Sequence, residues 1–253
     1  MNSALSVGLL LLAGGAAGTI NTVVGSGTLV TFPALLATGL SPLVANVTNT
    51  LGLSPGSFAG AYGYRAHLTG QRATAIRLGG ASLAGAVVGA VLLLNLPAEA
   101  FKAIVPILIA VAVVLVLAGP RINRRLASRS IDATAGGRLR RSLYLATFAT
   151  GVYGGYFGAA QGVVLMGVLG ALHDDTVQRH NALKNVLTGL VNFVAAIVFI
   201  FAAHPIWKDA GIIAAGSIVG AILGARIGQK LSPALLRTVI VCVGIAAIVN
   251  VLR

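Results

Sequence analysis

Charge is scarce in this chain and acid scarcer still: Asp, Glu, Lys and Arg make up 9% of 253 residues, and only five residues are Asp or Glu. Soluble domains usually carry about 25% charged residues, so a soluble globule of this length could not be clothed. The five carboxylates, Glu99, Asp132, Asp174, Asp175 and Asp209, lie near the ends of apolar runs or between them. Acid–base chemistry deep inside those runs therefore has few candidates, and no enzyme is expected. Four scattered histidines and one cysteine, Cys242, offer neither a metal cluster nor an internal disulfide, and no cofactor is expected. Cys242 reads as a small packing residue. No Gly-x-x-x-x-Gly-Lys-Ser/Thr phosphate loop is present, so direct ATP drive would need another subunit.

Aromatic residues are also few, and this decides the meaning of a net charge of +13. Seven arginines fall within residues 121–141 with no aromatic among them, and three more lie at Arg65, Arg72 and Arg77. A nucleic-acid surface would interleave stacking rings with its cations, whereas basic loops without them fit the positive-inside pattern of membrane proteins. Nucleic acid is therefore excluded as a partner, and a lipid bilayer is expected.

What the sequence has in abundance is oil: 57% hydrophobic residues and a mean hydropathy of +0.94. The first charged side chain is Arg65, and stretches free of Asp, Glu, Lys and Arg run 78–98, 103–120, 142–172, 185–207, 210–225 and 238–252. Such runs suit helices of about 20 residues, and they lack the alternation of a membrane barrel. Spans are predicted near 5–24, 43–64, 74–95, 98–119, 142–160, 181–203, 209–228 and 233–251. The start, Met1-Asn2-Ser3, lacks a basic leader, so the N-terminus is expected to belong to the mature protein. With eight spans, the arginine-rich loops share one side, which predicts an inner-membrane protein with both termini cytoplasmic. Lys208 and Arg253 agree, whereas Arg226, Lys230 and Arg237 fall opposite. Tyr62, Tyr64 and Trp207 fit interfacial anchors.

Two apolar pieces, 28–39 and 161–172, are too short to cross alone, and each follows a glycine-rich break. Overlaying them aligns Gly18 and Gly25 with Gly151 and Gly158 at an offset of 133, and then Asn46 with Asn181 and Asn49 with Lys184 at 135. The expected architecture is all-α, with two four-helix parallel repeats, 1–119 and 141–253, joined by a basic linker over 120–140. Each repeat holds a broken or re-entrant segment, the usual place for a transporter's site. Close helix packing is the other role for so many small residues, and it accounts for most of the 33 glycines.

The breaks gather polar residues in otherwise oily sequence: Asn21, Gly25, Ser26, Gly27 and Thr28 in the first, and Gly155, Gly158 and Gln161 in the second. Unpaired amides and positive dipole ends at Thr28 and Gln161 are expected to face an anion at the midplane. Each short helix leads into a polar-starting span, with Asn46, Thr48 and Asn49 in one. The other carries Asn181, Lys184, Asn185, Thr188 and Asn192 as an inward-facing stripe. Lys184 is a cation inside a span, where charge marks a substrate path unless it snorkels to the interface. His180, Asp174 and Asp175 read as a solvated turn or as a proton relay.

The order Gly25-Ser26-Gly27, Phe32-Pro33-Ala34-Leu35, Gly39-Leu40-Ser41-Pro42 and Ala45-Asn46-Val47-Thr48-Asn49 resembles the opening of the TauE/SafE sulfite exporter family. Gly154-Gly155-Tyr156-Phe157-Gly158 and Asn181-Ala182-Leu183-Lys184-Asn185 resemble its second repeat. Ser26 and Thr28 depart from a more glycine-rich first break. The resemblance implies secondary transport of sulfite, sulfonates or related sulfur-containing or carboxylate anions, with proton or cation coupling. The alternative is a channel-like or structural membrane protein in which the glycines only pack helices. Direction, coupling ion and oligomeric state are not fixed by the sequence.

Overall fold

The structure, a computed structural model, describes residues 3–127 and 136–227 together with residues 238, 241, 242 and 245. Among the described residues all regular structure is helical. The order is α1 (Ser3–Val23), α2 (Thr28–Ala37), α3 (Pro42–Gly63), a 3-10 turn (Arg65–Leu68), α4 (Arg72–Asn95) and α5 (Ala98–Ala127). Then follow α6 (Gly136–Tyr156), α7 (Gln161–Leu172), α8 (Val177–Ala202) and α9 (Trp207–Ile227). The span expected over 233–251 lies, apart from four single residues, outside the described residues.

A helix stands at each of the seven other predicted segments and at both short pieces, within a few residues of the expected limits except at the end of α5 and the start of α6, because charge and glycine punctuate the apolar runs. The linker expected over 120–140 is narrower. α5 continues to Ala127 and α6 starts at Gly136, since arginine is a good helix former and a basic segment need not unwind. Local chemistry sets other ends: Pro42 occupies the first turn of α3, and the Thr176 hydroxyl caps α8 by accepting from the Arg179 N–H at 3.3 Å.

Among the described residues five helices are long and apolar enough to cross a membrane: Ala4–Val23, Arg72–Asn95, Glu99–Gly119, Val177–Ala202 and Trp207–Arg226. Their outer faces expose large apolar side chains such as Leu12, Val91, Ile107, Val114, Phe201 and Leu223, while asparagines, threonines and a lysine are buried. That inverts the arrangement of a water-soluble protein and fits a protein solvated by lipid. Tyr62 and Trp207 are exposed, as anchors should be, but Tyr64 is buried and packs beside His67, so it is no surface anchor.

Small residues bring the helices together. α1 packs on α9, where a Cβ at Gly18 would run into the Ser217 backbone and one at Gly220 into that of Gly15. α6 packs on α4 in the same manner, with Gly151 against Ser82 and Gly85 against Phe148. Backbones this close forgo side-chain bulk in favour of van der Waals contact, which drives helix association in lipid. The pairs correspond: Gly18 and Gly151 are 133 residues apart, and Ser82 and Ser217 are 135 apart. Likewise α3 packs on α9 as α8 packs on α4, and α3 and α8 pack on each other.

Candidate functional site

Both breaks are present and have one backbone design. At the end of α1 the N–H groups of Val24 and Gly25 both donate to the Ile20 carbonyl, and Gly25 takes a φ of +91°. At the end of α6 the N–H groups of Phe157 and Gly158 both donate to the Tyr153 carbonyl, and Gly158 takes a φ of +74°. Positive φ favours glycine, so these residues stop their helices and turn the chain into α2 and α7. The two breaks touch: the Gly162 N–H donates to the Gly25 carbonyl at 3.0 Å, and a Cβ on either glycine would strike the other's backbone.

This contact corrects one expectation. The first turn of α7 presents no row of free amides, and at α2 only the amides of the break and of Thr28 stay free. Leu29, Val30 and Thr31 bond back to Ser26 and Gly27, and Gln161, Val163 and Val164 bond back to Gly158 and Ala160. Glycine flexibility lets the chain close these bonds within the break. The N–H groups of Ser26, Gly27 and Thr28 make no hydrogen bond among the described residues.

An asparagine from the span after each break bonds the other break. Asn46 of α3 donates to the Tyr156 carbonyl at the end of α6 at 3.0 Å, and Asn181 of α8 donates to the Thr22 carbonyl in the last turn of α1 at 3.2 Å. The aligned pair thus caps carbonyls that a helix end leaves without partners. The positions of Asn49 and Lys184 align but differ in role. Asn49 stays local, bonding the hydroxyls of Thr28 and Thr31 in α2. Lys184 crosses, its Nζ donating to the carbonyls of Asn21 at 2.9 Å and Thr22 at 3.0 Å. Asn185 also donates to Thr22, at 3.3 Å.

Lys184 is 0% exposed, so it does not snorkel to the interface. Its aliphatic stem lies beside Gly162, so one side chain links the start of α7 to the end of α1. The negative end of α1 supplies roughly half an elementary charge against it. Among the described residues no carboxylate pairs with it, the single ion pair being Arg179–Asp175 at 2.6 Å. Of the buried side-chain atoms without partners among the described residues, Ser26 Oγ and Gln161 Nε2 belong to the breaks, and Asn46 Oδ1, Asn181 Oδ1 and Asn185 Oδ1 to the spans that follow them. Buried polar atoms are nearly always bonded, so those on the breaks and the spans after them call for an explanation.

Other expected site residues play different parts. Asn21 and Asn192 both donate to Ser57 Oγ, tying α1 and α8 to α3. Gly27 packs on Ala17 and Asn21, and Gly155 packs on Ala86 of α4. Thr188 bonds back to the Lys184 carbonyl of its own helix. The buried Thr48 hydroxyl accepts from the Ile206 N–H at 3.1 Å. Sequence reasoning missed Tyr156 and Thr22, whose contributions are backbone carbonyls and so leave no side-chain signature.

At the near end of α8, Asp175 pairs with Arg179, which also donates to the Thr69 carbonyl at 2.8 Å. Burial pushes the Asp175 carboxyl up, but hydrogen bonds from Arg179 and the Thr176 N–H outweigh it and hold it below its ordinary value. His173 and His180 face each other at 3.3 Å. No group of three metal-ligating side chains forms among the described residues. An apolar groove of about 300 Å³ between α3, α8 and α9, lined by Leu51, Pro55, Phe193, Ile200 and Trp207, lies apart from the breaks.

Apolar outer faces, helices broken in pairs and a buried polar junction define a multi-pass helical membrane protein. The family described as Sulfite exporter TauE/SafE matches residues 10–251, and the chain belongs to it. It is 30% identical over 248 residues to "Probable membrane transporter protein ORF9" of Sinorhizobium sp, covering 96% of this chain and 91% of that protein. It is 27% identical to "Probable membrane transporter protein YfcA" of Escherichia coli K12, covering 96% and 88%. A "Probable membrane transporter protein" of Haemophilus influenzae is 28% identical, over 92% of this chain and 89% of its own. No solved structure matches.

Proposed function

We propose that the protein is a secondary transporter of a small anion, with sulfite, sulfonates and related sulfur-containing or carboxylate anions as its substrate class. The observation that carries this reading is Lys184, an amino group fully buried where two broken helices meet, with no acid paired to it among the described residues. Insertion scales put an uncompensated lysine inside a span at up to about 3 kcal/mol, so a position that keeps one is expected to use it. An anion between the breaks would gain the ammonium, the Ser26 hydroxyl, the Gln161 amide and the free N–H groups after Gly25. The family's description names sulfite export, and the relatives' names are those of membrane transporters.

The matching contacts of α1 on α9 and α6 on α4 favour two four-helix repeats, 1–119 and 141–253, each contributing one break. In this reading eight spans cross an inner membrane with both termini cytoplasmic, and the touching breaks represent a closed arrangement that opens as the halves rock. The tightness of the contact between Gly25 and Gly162 favours a second reading, in which the breaks are a structural seam of a non-transporting protein.

Uptake of radiolabelled sulfite, sulfate and short sulfonates into proteoliposomes separates the two. A carrier gives saturable flux with mutual competition between substrates. Linear flux indicates a channel, and no flux above protein-free liposomes for any of these anions defeats the transport reading.

A further inference from the structure

We infer that Lys184 is the proton carrier of this transporter, holding its proton while an anion is bound and giving it up when the site returns empty, so that one proton accompanies each monovalent anion. This rests on the transporter reading above and names the coupling ion of the same site.

The argument is one of charge. α8 packs against α1, α3, α4, α6, α7 and the 3-10 turn. α1 and α7 contain no titratable side chain, and α3 contributes only Tyr62. α4 adds Arg72 and Arg77; α6 adds Arg138, Arg140 and Arg141 with Tyr144, Tyr153 and Tyr156; the 3-10 turn and its preceding residue add Tyr64, Arg65 and His67. Arg179 and His180 stand near Lys184 on α8 itself. Asp174 and Asp175 stand just before α8, and Asp175 is engaged by Arg179 at 2.6 Å. Among the described residues no carboxylate bonds or pairs with Lys184, so no acid there balances its charge.

Two neutral states of the site remain. In one, the ammonium is matched by a bound monoanion. In the other, the amine is uncharged and the anion is absent. The present geometry suits both, because Nζ–H groups donate to the Asn21 and Thr22 carbonyls whether or not the third proton is there. A charged site without an anion, or an anion beside a neutral amine, leaves one uncompensated charge in a low-dielectric interior and is disfavoured. The cycle balances: a proton binds the Nζ lone pair from the same side as the anion, both are occluded, and both leave on the other side. No net charge crosses the bilayer.

A sulfonate stays a monoanion across the working pH range, so any proton that moves with it belongs to the protein. Purified full-length protein in proteoliposomes is given radiolabelled methanesulfonate, with the membrane potential clamped at zero by potassium and valinomycin. An inward gradient of one pH unit should concentrate the probe about tenfold at equilibrium, the limit for one proton per anion. A potential imposed without a pH gradient should concentrate it not at all. Saturable flux that ignores the pH gradient, or that follows the potential, overturns this inference and leaves the transporter reading standing. Failure of sulfite, sulfate and sulfonates alike to move overturns both.

Lys184→Arg assigns the proton to this residue, since a guanidinium does not release it. The ratio of anion exchange to net pH-driven uptake should rise at least tenfold in the variant, whereas pH-driven accumulation at the wild-type level would overturn the assignment. The wild-type arm stands whatever the yield of the variant.

Discussion

Asn46 and Asn181 do equivalent work with unequal backing. The Thr22 carbonyl receives Asn181, Asn185 and Lys184, whereas Asn46 is the one side chain among the described residues that donates to Tyr156. Leaving a buried carbonyl unpaired costs about 1–3 kcal/mol, while losing one of three donors costs less. Asn46→Ala should therefore lower the thermal midpoint of the detergent-solubilised protein by several degrees more than Asn181→Ala; equal shifts would refute the capping role. The amino acids at these positions were legible in the sequence, because polar residues in an oily helix stand out. Their partners were not. Thr22 and Tyr156 act through carbonyls that every residue owns, and the difference between Asn49, which stays in its own half, and Lys184, which crosses, comes from side-chain length that only packing can turn into reach.

At the level of elements, Gly25 and Gly39 make a controlled pair. Both hold positive φ, +91° and +96°, but a Cβ at Gly39 meets nothing, whereas one at Gly25 strikes Gly162. Gly39→Ala should cost only backbone strain, about 1 kcal/mol, and keep transport. Gly25→Ala adds a clash between the breaks and should lose at least tenfold in uptake at matched expression. Comparable uptake by the two variants would argue that the break contact is dispensable. The short helices and the glycines before them were readable because an apolar piece of ten or twelve residues cannot cross a bilayer and so demands an interruption. That the breaks lie against each other, closing most of their own amides, was not readable: Gly25 and Gly162 are far apart in the chain, and glycine bears no side chain whose pattern could announce the meeting.

For the molecule as a whole, the offsets of 133 and 135 residues foreshadow more than a duplicated order of helices. They recur in three dimensions as exchanged contacts, α1 of one half on α9 of the other and α6 on α4. In the proposed two-repeat reading each half would complete the other's packing, with the breaks at the junction between them. Lys184 is fully buried there, its Nζ bonded to the carbonyls of Asn21 and Thr22. If it recognises the transported anion, its ammonium supplies about 3 kcal/mol of charge-assisted binding, or roughly a hundredfold. The decisive measurement is sulfite and methanesulfonate counterflow in proteoliposomes bearing wild-type protein or Lys184→Ala at equal insertion. The account predicts that exchange falls by about a hundredfold in the variant, and exchange at the wild-type rate would contradict it.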